Sequence, residues 1–212
     1  MKAHPPPPSD RKAAKHFIKD LSNEPARTSG KGGADKVAVS KGDKVYIADK
    51  ALCYRQCVVK ESKDGTVVCF DAEYKIYKVP DTEVYPMNPS HMDGVADNTE
   101  LMYLHDPAFL KNLEQRYAKK KIYTYTACIL IAVNPYEQLP IYGLPQIKEY
   151  AASTMGRLEP HVYALAQRAY ASMKVLRRNQ SIVVSGESGA GTLKLLCTCV
   201  PRANRSGPPA RT

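Results

Sequence analysis

The sequence predicts an α+β chain, with a small antiparallel β-barrel over residues 37–89 and an incomplete α/β segment over 90–191. Three observations carry this. Between Val37 and Pro89, short β-branched and aromatic runs ("DKVYIAD", "CYRQCVVKE", "TVVCFD", "YKIYKVP", "TEVYP") alternate with turn signals. Beyond residue 90 the apolar spacing becomes helical. At 181–191 an apolar run, "SIVVS", enters a glycine-rich loop, "GESGAG".

Four to six strands fit the first segment. Asp64-Gly65 is a tight-turn signal and Pro80-Asp81 marks another. Val45 and Ile47, and then Val58, Val67 and Cys69, are spaced as inward-facing positions of half-buried strands, which makes the tyrosines core or rim residues.

Asp106-Pro107 offers an N-cap and a first-turn proline to a helix whose Phe109, Leu110, Leu113 and Tyr117 share one face. That helix ends near the lysine run 119–121, where cations complement the negative C-terminus. "IYTYTACILIAV" reads as one or two strands, its apolar second half suited to cover on both faces. Pro160 opens a further helix with a stripe of Val162, Leu165, Ala166, Ala169, Met173 and Leu176. His161 reads as a capping or surface residue, not a catalyst. "SIVVS" then completes the helix, strand, loop order of a three-layer α/β domain.

The flanks differ. Residues 1–36 hold Pro5–Pro8 and a basic, glycine-rich stretch, and are expected to be a disordered arm, its proline run a linker or a ligand for an aromatic groove. Net charge is +10, yet it sits at the ends: up to Lys44 ten Lys/Arg face five Asp/Glu, and from Thr192 four face none. Basic tails around a near-neutral middle argue against nucleic acid as a partner. Cys53 with Cys57, or Cys197 with Cys199, lacks the second ligand pair of a zinc site. No apolar run is long enough to span a bilayer and none resembles a leader, so a reducing, cytoplasmic setting is expected.

"GESGAG" has the glycine spacing of a phosphate loop, in which consecutive backbone N–H groups turn toward an anion. It equally suits an ordinary strand-to-helix turn. A complete phosphate-loop motif continues with Lys for the β/γ-phosphates and Ser or Thr for Mg²⁺. Here Thr192 and Leu193 stand in those places. Lys194 is two residues late, on another face of any helix, and Pro201 limits that helix to two turns.

Around this loop, "IYTYTACILIAVNPYEQLPIYG" and "EPHVYALAQRAYASMKVLRRNQSIVVSGESGAG" closely resemble the start of a myosin motor domain, and the resemblance runs from about Val37 to Gly191. "LMYL" and "MKVLRRNQSIVVSGESGAG" are most like class-six unconventional myosins. The resemblance implies an SH3-like β-barrel ahead of a P-loop motor core, a cytoskeletal setting, ATP and Mg²⁺ as cofactors, and actin filaments and light chains or calmodulin as partners. It places the adenine-side loop on Asn134, Pro135 and Tyr142, and the phosphate loop on Gly186, Glu187, Ser188, Gly189, Ala190 and Gly191. Read alone, Asn134-Pro135 is an ordinary turn. No catalytic residue and no metal ligand is assigned.

The departure begins at Thr192. Family members continue with Lys, Thr and Glu into a long helix, whereas residues 192–212, basic and rich in Pro and Arg, resemble another reading frame or an unspliced junction and are expected to be disordered. The family's switch segments, actin-binding cleft, converter and neck have no counterpart here. The expectation is an N-terminal fragment of an actin-based motor that does not hydrolyse ATP, with "SIVVS" an exposed apolar edge. Two other readings stand beside it: a β-barrel binding module with a vestigial nucleotide site, and a degenerate phosphate-loop protein that still binds ATP.

Overall fold

Alternating apolar residues and left-handed turns set out the first half of the chain. The computed structural model describes residues 38–191. These divide into two compact units, 38–93 with 101–114, and 94–100 with 115–191.

The first unit is a five-stranded antiparallel sheet of β1 (Lys44–Asp49), β2 (Cys53–Lys63), β3 (Thr66–Phe70), β4 (Ile76–Pro80) and β5 (Val84–Pro86). The hydrogen-bonded order is β4-β3-β2-β1-β5, which leaves β4 and β5 as edges. The barrel expected from the sequence thus takes the form of an open ladder. Asp64 (φ 50°) and Gly65 (φ 73°) make the two-residue β2–β3 turn, as their dipeptide predicts. Val45, Ile47, Cys57, Val59, Val67 and Cys69 form the core. The Val58 expectation is corrected: it is half-buried, and its neighbours Cys57 and Val59 point inward. A one-residue change of phase exchanges the two faces of a strand, and the register shift between Val59 and Glu61 separates the inward pair from the exposed end of β2.

One rim of this sheet is polar and closed on itself. Arg55 Nε donates to Asp49 Oδ2 at 2.8 Å, and its Nη1 donates to Asp71 Oδ2 at 3.0 Å. The Tyr77 hydroxyl donates to the same Asp71 oxygen at 2.9 Å. Burial alone would raise the Asp71 carboxyl, but the bonds from Tyr77, from the amides of Lys75 and Glu73, and from Arg55 outweigh it and hold it below the usual carboxylate value.

Helix α1 (Asp106–Ala118) is capped by His105, whose Nδ1 accepts from the Ala108 amide at 3.2 Å. Asp106, expected at the cap, lies inside the first turn. The fully buried stripe is Ala108, Asn112 and Arg116, spaced four apart, whereas Phe109, Leu110, Leu113 and Tyr117 are half-buried. A polar stripe of this kind escapes apolar periodicity.

In the second unit β6 (Tyr123–Thr126) and β7 (Ile129–Ala132) form a hairpin, followed by α2 (Leu144–Ala152) and α3 (Val162–Leu176). The expectation that the second half of "IYTYTACILIAV" is covered on both faces is overturned, since Ile129 is 62% exposed at the hairpin tip. Ala127 (φ 54°) turns the chain there, and Asp97 Oδ1 accepts its amide at 3.1 Å. Helix α3 begins two residues after Pro160, with His161 as N-cap. His161 is buried, as are Val162 and Ala166, but Met173 and Leu176 face outward, so only the first half of the predicted stripe is core.

"SIVVS" is not a strand. Residues 181–185 lack any ladder, and Val183 is 88% exposed. A strand exists only through pairing, and among the described residues no partner strand lies beside it. The three-layer order read from the sequence is therefore absent from the described residues. No helix among them is long and apolar enough to cross a membrane.

Candidate functional site

Two loops meet in the second unit through residues fifty-five apart in sequence. Asn134 follows β7 and opens a turn: its Oδ1 accepts from the Tyr136 amide at 3.0 Å, and Tyr136 adopts φ 53°. Pro135 cannot donate an amide, so the carboxamide takes the first available N–H. The Nδ2 of the same side chain donates to the Gly189 carbonyl at 2.7 Å. Its main-chain oxygen accepts from the Tyr117 hydroxyl at 3.4 Å.

Across from it, residues 186–191 form a tight turn in which the Ala190 amide donates to the Glu187 carbonyl at 3.0 Å. Gly189 (φ 88°) and Gly191 (φ 84°) lie in the left-handed region. A Cβ at Gly189 would meet nothing within 4 Å, so backbone conformation alone requires glycine there. A Cβ at Gly191 would sit 3.7 Å from Asn134 Cγ, an ordinary van der Waals contact, so there too the positive φ is what favours glycine. Gly186, Glu187, Ser188 and Gly189 are exposed, and Ala190 and Gly191 are half-buried. The helix expected behind the loop, with Thr192, Leu193 and Lys194, lies outside the described residues.

Tyr142, eight residues after Asn134, is half-buried and held elsewhere. Its hydroxyl lies 2.7 Å from that of Tyr123, and its ring tilts against His161 at 5.5 Å. His161 caps α3 by accepting from the Tyr163 amide through Nδ1 at 3.0 Å. Around this imidazole stand Tyr123 at 5.1 Å, Tyr150 at 5.0 Å and Tyr163 at 4.5 Å. Burial raises the Tyr142 phenol, the Tyr123 hydroxyl opposing it, and pushes Tyr150 up to about 12. These phenols keep their protons at neutral pH and can donate hydrogen bonds.

Arg116 anchors the base of this arrangement. It is 2% exposed, and it donates to the Tyr123 carbonyl through Nη2 (2.8 Å) and Nε (3.3 Å), to Thr124 Oγ1 (3.0 Å), to the Gly94 carbonyl (3.2 Å) and to Glu159 Oε2 (3.2 Å). Burial works against the Glu159 carboxylate, but hydrogen bonds from Lys121 and Arg116 hold it below its usual value.

The structure therefore joins Asn134 to Gly189, with Gly191 beside it, and leaves Tyr142 at the far end of its loop. Sequence reasoning missed Tyr117, Tyr123 and Arg116, whose roles rest on tertiary hydrogen bonds. No spacing signal distinguishes Tyr123 from any other aromatic strand residue.

The glycine turn and the Asn-Pro loop lie inside a longer stretch, residues 95–195, that matches the myosin head (motor domain) family. Residues 95–195 thus match part of a myosin motor domain. It is 43% identical over 163 residues to unconventional myosin-Va of Rattus norvegicus, an alignment covering 72% of this chain and 9% of that protein. It is 51% identical over 117 residues to unconventional myosin-Vc of Homo sapiens (54% and 7%) and 50% identical over 110 residues to unconventional myosin-VI of Bos taurus (51% and 8%). Class-five and class-six relatives match equally well, so the likeness does not single out class six. The chain spans less than a tenth of the length of these relatives.

Proposed function

We propose that residues 134–142 and 186–191 are the base-side and phosphate-side loops of a myosin nucleotide site, and that this chain binds adenine nucleotide weakly and does not hydrolyse it. The observation that carries the reading is the 2.7 Å bond from Asn134 Nδ2 to the Gly189 carbonyl, which ties the two loops together. The left-handed glycines fit a backbone cradle for an anion. The side-chain part of a complete site does not fit: Thr192 brings no charge to the phosphates, and Leu193 no hydroxyl for Mg²⁺. When bound, ATP supplies the scissile phosphoanhydride and Mg²⁺ neutralises its charge. This chain's own groups supply main-chain donors and loop registration.

The motor of which this segment is characteristic is proposed to be an actin-based ATPase of the cytoskeleton, with light chains or calmodulin as further partners. Titration of the purified chain with a ribose-labelled fluorescent ATP should give saturable binding with Kd of about 0.1–1 mM, near −4 to −5.5 kcal/mol, lost in Gly189→Asp. Single-turnover assays with γ-labelled ATP should release no phosphate above the buffer blank. A burst of phosphate equal to the chain concentration would refute the second half of the reading, and binding untouched by Gly189→Asp the first.

A second reading, an SH3-like binding module over residues 37–89, is favoured by the Phe70–Tyr74 ring stack at 6.0 Å, with Tyr74 81% exposed beside exposed Ile76. Tyr74→Ala should then abolish capture of a partner without lowering the melting temperature.

A further inference from the structure

The glycine turn owes its place to a residue outside it. Residues 181–185 belong to no ladder, so the segment that feeds the turn does not hold it. Among the described residues, the one hydrogen bond that ties 181–191 to another segment runs from Asn134 Nδ2 to the Gly189 carbonyl, at 2.7 Å. Asn134 is itself braced. The Val133 amide donates to the Ile122 carbonyl at 2.9 Å, and the Tyr117 hydroxyl donates to the Asn134 carbonyl at 3.4 Å. The Tyr136 amide, 3.0 Å from Oδ1, fixes the carboxamide, whose NH₂ is thereby turned to Gly189.

We propose that Asn134, although it stands in the base-side loop, is a positioning residue for the phosphate end of the ligand: by fixing the Gly189–Ala190 peptide it sets the affinity of residues 186–191 for a polyphosphate that carries no base. This rests on residues 134–142 and 186–191 being the two loops of a nucleotide site. A trans peptide points its C=O and its N–H in opposite directions, so holding one end fixes the other. Here both ends are held, the carbonyl by Asn134 and the Ala190 amide by the Glu187 carbonyl at 3.0 Å. Gly189, at φ 88°, has no Cβ to oppose a flip of this peptide, so the two bonds are what prevent one. A carbonyl bonded to Asn134 cannot face an anion. Released, it can turn in among the amides of the turn, where its oxygen repels the charge that those amides attract. With Asn134 in place the ordering is complete before a ligand arrives, which favours binding.

The experiment uses the whole chain and displaces ribose-labelled fluorescent ATP with inorganic tripolyphosphate, which has no base, and with adenosine, which has no phosphate. In Asn134→Ala the inhibition constant of tripolyphosphate should rise by about three- to tenfold, the range of one hydrogen bond, and that of adenosine should stay within about twofold. Asn134→Ser should give the same split. Its hydroxyl still accepts from the Tyr136 amide in the same kind of turn but is too short to reach Gly189, so the turn survives while the bond is lost. An unchanged constant for tripolyphosphate with a raised one for adenosine makes Asn134 a contact to the base, which overturns this inference and leaves the two-loop site standing. Equal weakening of both ligands in both variants makes Asn134 merely structural and overturns it as well. Absence of saturable ATP binding in the unsubstituted chain overturns the inference together with the site.

Discussion

Replacing Arg116 by Met keeps most of the side-chain volume and removes the guanidinium. Three of the acceptors it serves, the Tyr123 carbonyl, Thr124 Oγ1 and the Gly94 carbonyl, lie on buried or half-buried residues. An orphaned buried acceptor costs roughly 1–3 kcal/mol. The Thr124 hydroxyl can turn its proton to another acceptor once the guanidinium is gone, which offsets part of this cost. Glu159 is exposed enough to rehydrate, so its ion pair adds little. The expected loss is about 3–4 kcal/mol, a large share of the 5–15 kcal/mol typical of a domain. At roughly 2–4 °C per kcal/mol for a chain of this size, melting should fall by about 10 °C. Urea unfolding followed by circular dichroism measures this directly. Arg116→Lys should recover under half of it, because one ammonium cannot reach carbonyl, hydroxyl and carboxylate in the geometry of the fork. A loss under about 1 kcal/mol in Arg116→Met would refute the assignment of Arg116 as the anchor of the hairpin.

The His105 cap predicts a pH effect. Burial holds its folded value below the ordinary one, against the bond to the Pro86 carbonyl. Stability is thus fully present above the unfolded value of about 6.5 and lost as pH falls through the lower folded value. Melting should decline between pH 7 and 5, and His105→Asn should flatten that decline; an equal slope in both would contradict it. Gly65→Ala should cost about 1 kcal/mol through the positive φ alone, since no atom lies within 4 Å of the new Cβ; a neutral result in chemical denaturation would mean the turn relaxes. For the cysteines, burial and then Cys69 push the Cys57 thiol up to about 12, while Cys128 is exposed. Iodoacetamide at pH 8 should label Cys128 and spare Cys57 and Cys69 by peptide mapping, and equal labelling would refute the packed core.

Much of the first unit was legible because its signals are local. Asp64-Gly65 demands a left-handed turn wherever it occurs, and alternation marks a strand whatever its partner. The error at Val58 shows the limit of this: alternation gives the period, while the phase follows from which face packs, and the pairing of Cys57 with buried Val45 turns Val58 to the other face. Helix α1 shows another limit, for its buried stripe is Ala108, Asn112 and Arg116, two of them polar. Only the acceptors at Tyr123, Thr124 and Gly94 explain why an arginine can be buried there.

The site divides in the same way. By itself the sequence determined the glycine spacing of 186–191, the Asn134-Pro135 turn, the substitution of Thr192 and Leu193 for Lys and a hydroxyl, and the myosin likeness, because each is a matter of residue type at fixed offset. Tertiary structure alone decided that Asn134 bonds Gly189, that Tyr142 leans on Tyr123 and His161, and that "SIVVS" is no strand. Those outcomes depend on groups distant in sequence arriving within hydrogen-bond reach, or failing to. A hydrogen bond spanning fifty-five residues leaves no periodicity in the chain, and a strand's apolar composition cannot supply the neighbour that makes it a strand.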